Sequence, residues 1–326
     1  MQCNYATHIC GRLGRFYLRF ALLLMFNMWR KYMKKQKIGL LYVTPWIIGF
    51  LVLTVWPILS SFYYSLTDYS LARVGQRPEF LGLENYIKLF SDQAFRDSLK
   101  ATFTYTVFTV PLQLMFALFV AFILNFKIKG ISFYRTAYYI PSILGGNVAI
   151  GVLWRSMFQP EGLINMILGG IGVAPVDWLS SPSGAMSVLV FLKVWQFGSS
   201  MLLFLAALKD VPQELYESAN LDGAKKVSQF FHITLPLITP TIFFNLVMQL
   251  NNAFQEFNGP FIVTGKGPLN STNLTSMFIY EKAFKRFDMG YASAASWVLF
   301  AIILIATVVL FASQKKWVYY ADEGDK

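Results

Sequence analysis

Four polar side chains recur inside an otherwise apolar run: Asn245, Gln249, Asn252 and Glu256. Steps of four, three and four residues put all of them on one face of a helix. Amides and a carboxylate can donate to and accept from hydroxyl groups. Phe254, Phe257 and Phe261 beside them offer flat apolar faces on which a ring can stack. This chemistry recognises rather than cleaves. A weaker stripe lies in an earlier apolar run, where Lys193, Gln196 and Ser200 recur with Trp195 and Gly198 beside them. The chain shows no Ser, His and Asp arrangement, no paired carboxylates in one apolar run and no G-x-x-x-x-G-K-[ST] phosphate loop. No catalytic residue is therefore assigned. Cys3, His8 and Cys10 fall short of the four ligands of a closed structural metal site, and no metal site is assigned either.

The elements that must carry these stripes follow from composition. Hydrophobic residues make up 56% of the chain and charged residues 14%, and the mean hydropathy is +0.48. A soluble domain carries more charge. Six apolar runs of about 20 residues are long enough to cross a hydrocarbon layer as helices: 38–61, 101–124, 137–158, 185–208, 237–257 and 291–313. The expected fold class is an all-α membrane protein. Lys and Arg at the span ends set its orientation, because cationic loops stay on the cytoplasmic side. Arg30, Lys31, Lys34, Lys35 and Lys37 precede the first run, and no acidic residue occurs before Asp68. Lys127, Lys129 and Arg135 mark a second inside loop, and Lys315 and Lys316 an inside carboxyl end. Both termini are thus expected in the cytoplasm. The net charge of +11 is read as this topology signal and not as a nucleic-acid surface.

Three regions follow: a basic segment 1–37, a membrane domain 38–313 and a tail 314–326. Arg12, Arg15 and Arg19 ahead of the apolar stretch 20–26 suggest an interfacial helix, since no small-x-small cleavage site follows; a later start at Met25, Met28 or Met33 is the alternative. Polar groups at membrane depth are costly unless they face a protein interior or a wet cavity. Asn245, Gln249, Asn252, Glu256, Gln196 and Gly198 are accordingly assigned to a solute path, with hydrogen-bond links between helices as the other reading. For Gly198 that other reading is close helix packing. Arg155 is expected to reach the outer surface.

The polar connector 209–236 lies on the predicted cytoplasmic side and has the signals of a short helix. Pro212 suits its first turn, Asp210 can cap it, and Glu214 sits near the positive end of its dipole. Leu215, Ala219 and Asp222 fall on one side. Gly223 can end the helix in a left-handed conformation, with Lys225 and Lys226 near its last carbonyls.

In this connector Glu217-Ser218-Ala219, Gly223 and Ile233-Thr234-Leu235-Pro236 form the pattern E-S-A-x-x-x-G-(x)9-I-x-L-P. It resembles the signature loop of the membrane subunits of binding-protein-dependent ABC importers, of the maltose, glycerol-phosphate and alginate type. The family form opens E-A-A, so Ser218 is a small-for-small departure. The resemblance extends over 80–90, Arg135-Thr136 before Ile140-Pro141, and Trp154, Phe158, Gly162 and Asn165. It resumes at 264–268, 283–284 and 290–294, with Lys266 standing where the family has glycine.

The resemblance implies a type I importer permease fold. It implies a coupling helix in which Glu214, Glu217, Ser218, Ala219, Asp222, Gly223 and Ala224 meet an ATPase. It also implies the partners: a second homologous permease, two ATPase subunits using ATP and Mg, and an external solute-binding protein. The implied location is a bacterial inner membrane. The solute class stays open between neutral and acidic saccharides, given Lys193, Lys282, Lys285 and Arg286. A non-sugar solute and a gradient-driven transporter are the alternatives; the latter predicts inverted repeats and broken helices.

Overall fold

The computed structural model describes residues 37–73, 77–126 and 129–320. The expected interfacial helix, Cys3, His8, Cys10, Lys127 and the last six residues lie outside them. The chain divides after Ser61 into two units. The first is helical wherever it is described, from Lys37 onward, with a π-helical turn at Leu51–Val55. The helix α1 (Tyr42–Ser65), whose last four residues belong to the second unit, has the length and apolarity of a span.

The second unit is helical with short connectors; among the described residues it has isolated bridges but no strand. In order come α2 (Glu84–Ser91), α3 (Gln93–Leu124), α4 (Ile131–Leu144), α5 (Val148–Met157), α6 (Leu163–Gly170), α7 (Pro182–Trp195) and α8 (Gly198–Asp210). They continue as α9 (Gln213–Leu221), α10 (Lys226–Leu237), α11 (Thr239–Phe254), α12 (Thr275–Tyr280) and α13 (Met289–Gln314). Four of these starts carry side-chain caps. The Asp92 carboxylate accepts from Ala94 N, Asn147 Oδ1 from Ala149 N, Ser181 Oγ from Gly184 N and Asp288 from Tyr291 N.

α3 is the axle of this unit: α7, α8 and α11 pack around it. Val110, Leu114, Ala117, Leu189, Met201 and Phe204 form the centre of the contact. Small residues at Ala117 and Ala121 let backbones approach, as bilayer packing requires.

Three of the six expected spans are bent pairs of helices. Among the described residues three helices, α1, α3 and α13, suffice to cross a membrane alone, and up to six spans exist if each bent pair counts as one. α4 and α5 meet at 100°, α7 and α8 at 44°, α10 and α11 at 64°. Two breaks have a local cause, and the third is relieved by other helices. Gly145 and Gly146 precede the Asn147 cap of α5; Pro240 starts α11. At the break between α7 and α8 the freed Gln196 carbonyl accepts from Ser142 Oγ (2.9 Å) and Gln113 Nε2 (3.2 Å). Broken helices therefore do not distinguish a gradient-driven transporter here.

Residues of the resembled motifs act as staples. Asn85 Nδ2 donates to the carbonyls of Ser65 (2.9 Å) and Thr67 (2.8 Å). Asn165 ties the loop after α6, donating to Val176 O (3.0 Å) and accepting from Trp178 Nε1 (3.1 Å).

Candidate functional site

The predicted path face does not act as one surface. Glu256 lies just past the end of α11, and its Oε2 accepts from Lys193 Nζ of α7 at 2.9 Å. The two side chains are 15% and 16% exposed. Gly259 N donates to the other oxygen, Oε1, at 3.1 Å. Gln196 lies beside the pair, donating from Nε2 to Gly145 O at 3.1 Å. Tyr105 of α3, Leu189 and Leu192 complete the lining of a small cavity of about 10 Å³. That is close to the space of one water, too little for a saccharide ring.

The other predicted path residues are elsewhere. Gln249 is buried and donates from Nε2 to Ser200 Oγ of α8 at 3.0 Å, which is the interhelical link. Asn245 donates to the Thr241 carbonyl of its own helix (3.0 Å), and Asn252 is exposed. Gly198 is a packing glycine: a Cβ there would lie 2.5 Å from Tyr138 O and 2.8 Å from Tyr139 Cα of α4. Phe257 and Phe261 stack on each other with centroids 5.0 Å apart, and Phe254 packs edge-on against Phe103. For the Gln249–Ser200 link a double-mutant cycle with alanine is expected to return a coupling of about 0.6 kcal/mol, the scale of intramembrane hydrogen bonds, read from unfolding of the detergent-solubilised protein.

Sequence reasoning missed the polar stripe of α3. Thr102, Thr106, Thr109 and Gln113 are all buried and spaced by four, three and four, the same signal that marked α11. Thr102 Oγ1 accepts from Thr275 N (2.9 Å), and Gln113 reaches the broken helix at Gln196. Among the described residues, Thr106 Oγ1 and Gln113 Oε1 are buried without a partner. Single polar side chains of α3, of the α7–α8 pair and of α11 and its end thus meet pairwise along a seam, at Gln113 with the Gln196 carbonyl, Gln249 with Ser200, and Glu256 with Lys193.

The connector folds as α9, with two differences from expectation. Asp210 ends α8 and caps nothing; Pro212 holds the N-cap position without a side-chain bond. Of the face Leu215, Ala219 and Asp222, only Ala219 is buried. Gly223 takes the left-handed conformation, φ +74°, and closes the helix with two bonds, Ala224 N to Ala219 O (2.9 Å) and Gly223 N to Asn220 O (3.1 Å). Glu214, Glu217, Ser218 and Asp222 are exposed, and among the described residues Glu217 has no ion-pair partner. Apolar side chains stand open beside them: Leu221 is 90% exposed and Val227 69%. Hydrogen bonds bolt α9 to α10. Tyr216 Oη and Thr234 Oγ1 lie 2.7 Å apart, and Gln229 Nε2 donates to Asn220 Oδ1 (2.7 Å) and Ala224 O (3.0 Å).

On the predicted outer side, Lys282 is caged. It pairs with Asp92 at 3.1 Å and lies 4.9 Å and 4.7 Å from the ring centres of Phe278 and Tyr291; Tyr291 Oη also donates to Asp92 at 2.9 Å. Lys282 is therefore a structural cation, while Lys285 and Arg286 stay exposed. Lys266 adopts φ +90° in the turn where glycine was expected, and its ammonium pairs with Glu281. Burial raises the pKa of Asp92, but the hydrogen bonds from Tyr291 and Lys282 outweigh it and hold the carboxyl below its ordinary 3.8. The Lys266 hydrogen bond holds Glu281 below its ordinary 4.5.

Both folded values are depressed. The stability they contribute is present above the unfolded values and is lost as pH falls through the folded ones. Thermal unfolding followed down to about pH 3 should show a loss that D92N and E281Q each diminish.

Residues 90–318 match the family model of the binding-protein-dependent transport system inner membrane component. The chain is 45% identical over 300 residues to a probable ABC transporter permease protein, YesP, of Bacillus subtilis, covering 91% of this chain and 96% of that one. It is 35% identical over 286 residues to the sn-glycerol-3-phosphate transport system permease protein UgpA of Shigella flexneri, covering 86% and 95%. Among solved structures it superposes on a bacterial ABC transporter involved in the import of the acidic polysaccharide alginate, with TM-score 0.73, 21% identity and coverage of 95% and 99%.

Proposed function

Because the chain belongs to the binding-protein-dependent transport system inner membrane component family, a sugar-importer permease by its relatives, we propose that it forms the path for an acidic saccharide. An external solute-binding protein delivers the solute. A second homologous permease completes the path, and two ATPase subunits, using ATP and Mg, drive it from the cytoplasmic side. Both termini and the segment 209–236 face the cytoplasm. The acidic class is supported by the solutes named for two similar proteins, a glycerol phosphate and alginate, and by Lys193 on the polar seam.

The observation that carries the coupling assignment is the mechanical continuity of α9. It projects Glu217 and Leu221 outward, yet Tyr216, Asn220 and Ala224 are bonded to Thr234 and Gln229 of α10. α10 leads into α11, which carries Gln249 toward α8 and ends beside Glu256. A push on α9 therefore reaches the seam through bonded elements. ATP binding acts by stabilising one of two arrangements more than the other. Glu217 is suited to a charge-assisted bond with a basic group of the ATPase.

The test is reconstitution of the chain with a second permease, the ATPase subunits and the solute-binding protein in proteoliposomes. Co-isolation with an ATPase and a second permease, and uptake that needs ATP and the binding protein, is the expected result. Labelling of a cysteine placed at Ser218 only from the exterior would overturn the orientation.

A further inference from the structure

We infer that Lys193 and Glu256 form a charge reader for the solute: closed as an ion pair when the path is empty, and opened so that Lys193 receives the solute's anionic group while Glu256 accepts from its hydroxyls. This inference rests on the importer reading above.

An ion pair at membrane depth calls for a reason. Taking both charges out of water costs several kcal/mol per ion, and apolar residues of similar volume often serve stability as well or better. Ionisable groups inside membrane spans are by default functional. Here both side chains are about one-sixth exposed and border one small cavity together with Tyr105 of α3 and Gln196. The pair keeps the empty path neutral and gives the lysine a counter-ion that a solute can replace.

The two partners are mounted differently. Lys193 stands in the last turn of α7, and α7 is packed on α3 through Val188, Leu189 and Leu192. Glu256 stands beyond the end of α11, in the short connector before Pro260. Its second oxygen already has a substitute donor in Gly259 N at 3.1 Å. The carboxylate can thus leave the ammonium without becoming bare, whereas the ammonium depends on whatever anion comes next. Lys193 Nζ donates to Glu256 alone among the described residues, which leaves N–H groups for an incoming carboxylate. Gln196 and Tyr105 line the same cavity with groups suited to ring hydroxyls. A neutral saccharide could satisfy Glu256 but would leave no reason for the lysine.

A merely structural pair needs an opposite charge at each position and keeps it in a charge swap, at the loss of the Gly259 N bond to Glu256; a reader needs its cation at Lys193. The experiment uses the full complex, with its binding protein, in proteoliposomes. Short oligomers of galacturonate and mannuronate are the acidic probes, and maltose and galactose oligomers of matched length the neutral ones. Assembly is checked by co-purification with the ATPase. Wild type is expected to import acidic oligomers. K193M and the swap K193E/E256K should both assemble and both lose acidic uptake by about tenfold or more, the scale of one charge-assisted hydrogen bond.

Recovery of acidic uptake in the swap, or K193M retaining it, would make the pair a structural tether and overturn the inference. Wild type importing only neutral oligomers would overturn it while leaving the importer standing. Import of no saccharide at all would overturn both.

Discussion

Gly223→Val is expected to cut ATP-driven uptake by about tenfold or more while the membrane helices still assemble. Gly223 sits at φ +74°, and a Cβ there would meet nothing within 4 Å. The penalty is therefore conformational and not steric. A β-branched residue in the left-handed region costs about 1–2 kcal/mol, and glycine avoids that cost. Relaxing the strain breaks the closing bonds from Ala224 N to Ala219 O and from Gly223 N to Asn220 O. Ala224 also accepts from Gln229, so the link from α9 to α10 loosens at the same point. The push then dissipates before it reaches α11. Uptake and binding-protein-stimulated ATP hydrolysis, measured together in proteoliposomes, check this. Asparagine, which tolerates the left-handed region, should retain most of the activity. Wild-type uptake in the valine variant would show that α9 is not the lever.

Gly198→Val is expected to destabilise the chain by roughly 2–3 kcal/mol through overpacking. The new Cβ would fall 2.5 Å from the Tyr138 carbonyl oxygen, 2.8 Å from Tyr139 Cα and 2.9 Å from Ser142 Oγ. Two of these are backbone atoms of α4, which cannot rotate away. α8 and α4 must part, and the Ser142 bridge goes with them: its hydroxyl donates to Gln196 O and accepts from Ser199 N at 3.1 Å. The Gln196 carbonyl would keep only Gln113 as a side-chain donor. Thermal unfolding of the solubilised protein reads the loss. Gly169→Val in α6, where nothing lies within 4 Å of a Cβ, is the matched control and should shift little. Equal unfolding of G198V and wild type would contradict the packing role.

Two glycines make the division between sequence and structure plain. Gly223 was legible because its function is local. A helical polar stretch that ends in glycine, followed by lysines, carries its stop signal within a few residues. The same holds for the apolar runs, whose length alone marks them, though not for the cap expected at Asp210, which ends α8 instead. Gly198 was open between two roles because its neighbour is the backbone of Tyr138, sixty residues earlier in the chain.

The bends at Gly145–Asn147, Gln196–Phe197 and Ile238 were illegible for another reason. An apolar run has the same composition straight or broken, and in two of the three cases the groups that relieve the freed backbone come from other helices or from the next helix's cap. Helical phase behaved likewise. It grouped Asn245, Gln249, Asn252 and Glu256 on one face, as periodicity must, and the same rule would have marked Thr102, Thr106, Thr109 and Gln113. What it lacked was the opposing surface. Only the tertiary arrangement turned Gln249 to Ser200, left Asn252 outside, and set Glu256 against Lys193, 63 positions away. Period and length are properties of one segment; pairing belongs to two, and in a bilayer it is decided by which helices pack together.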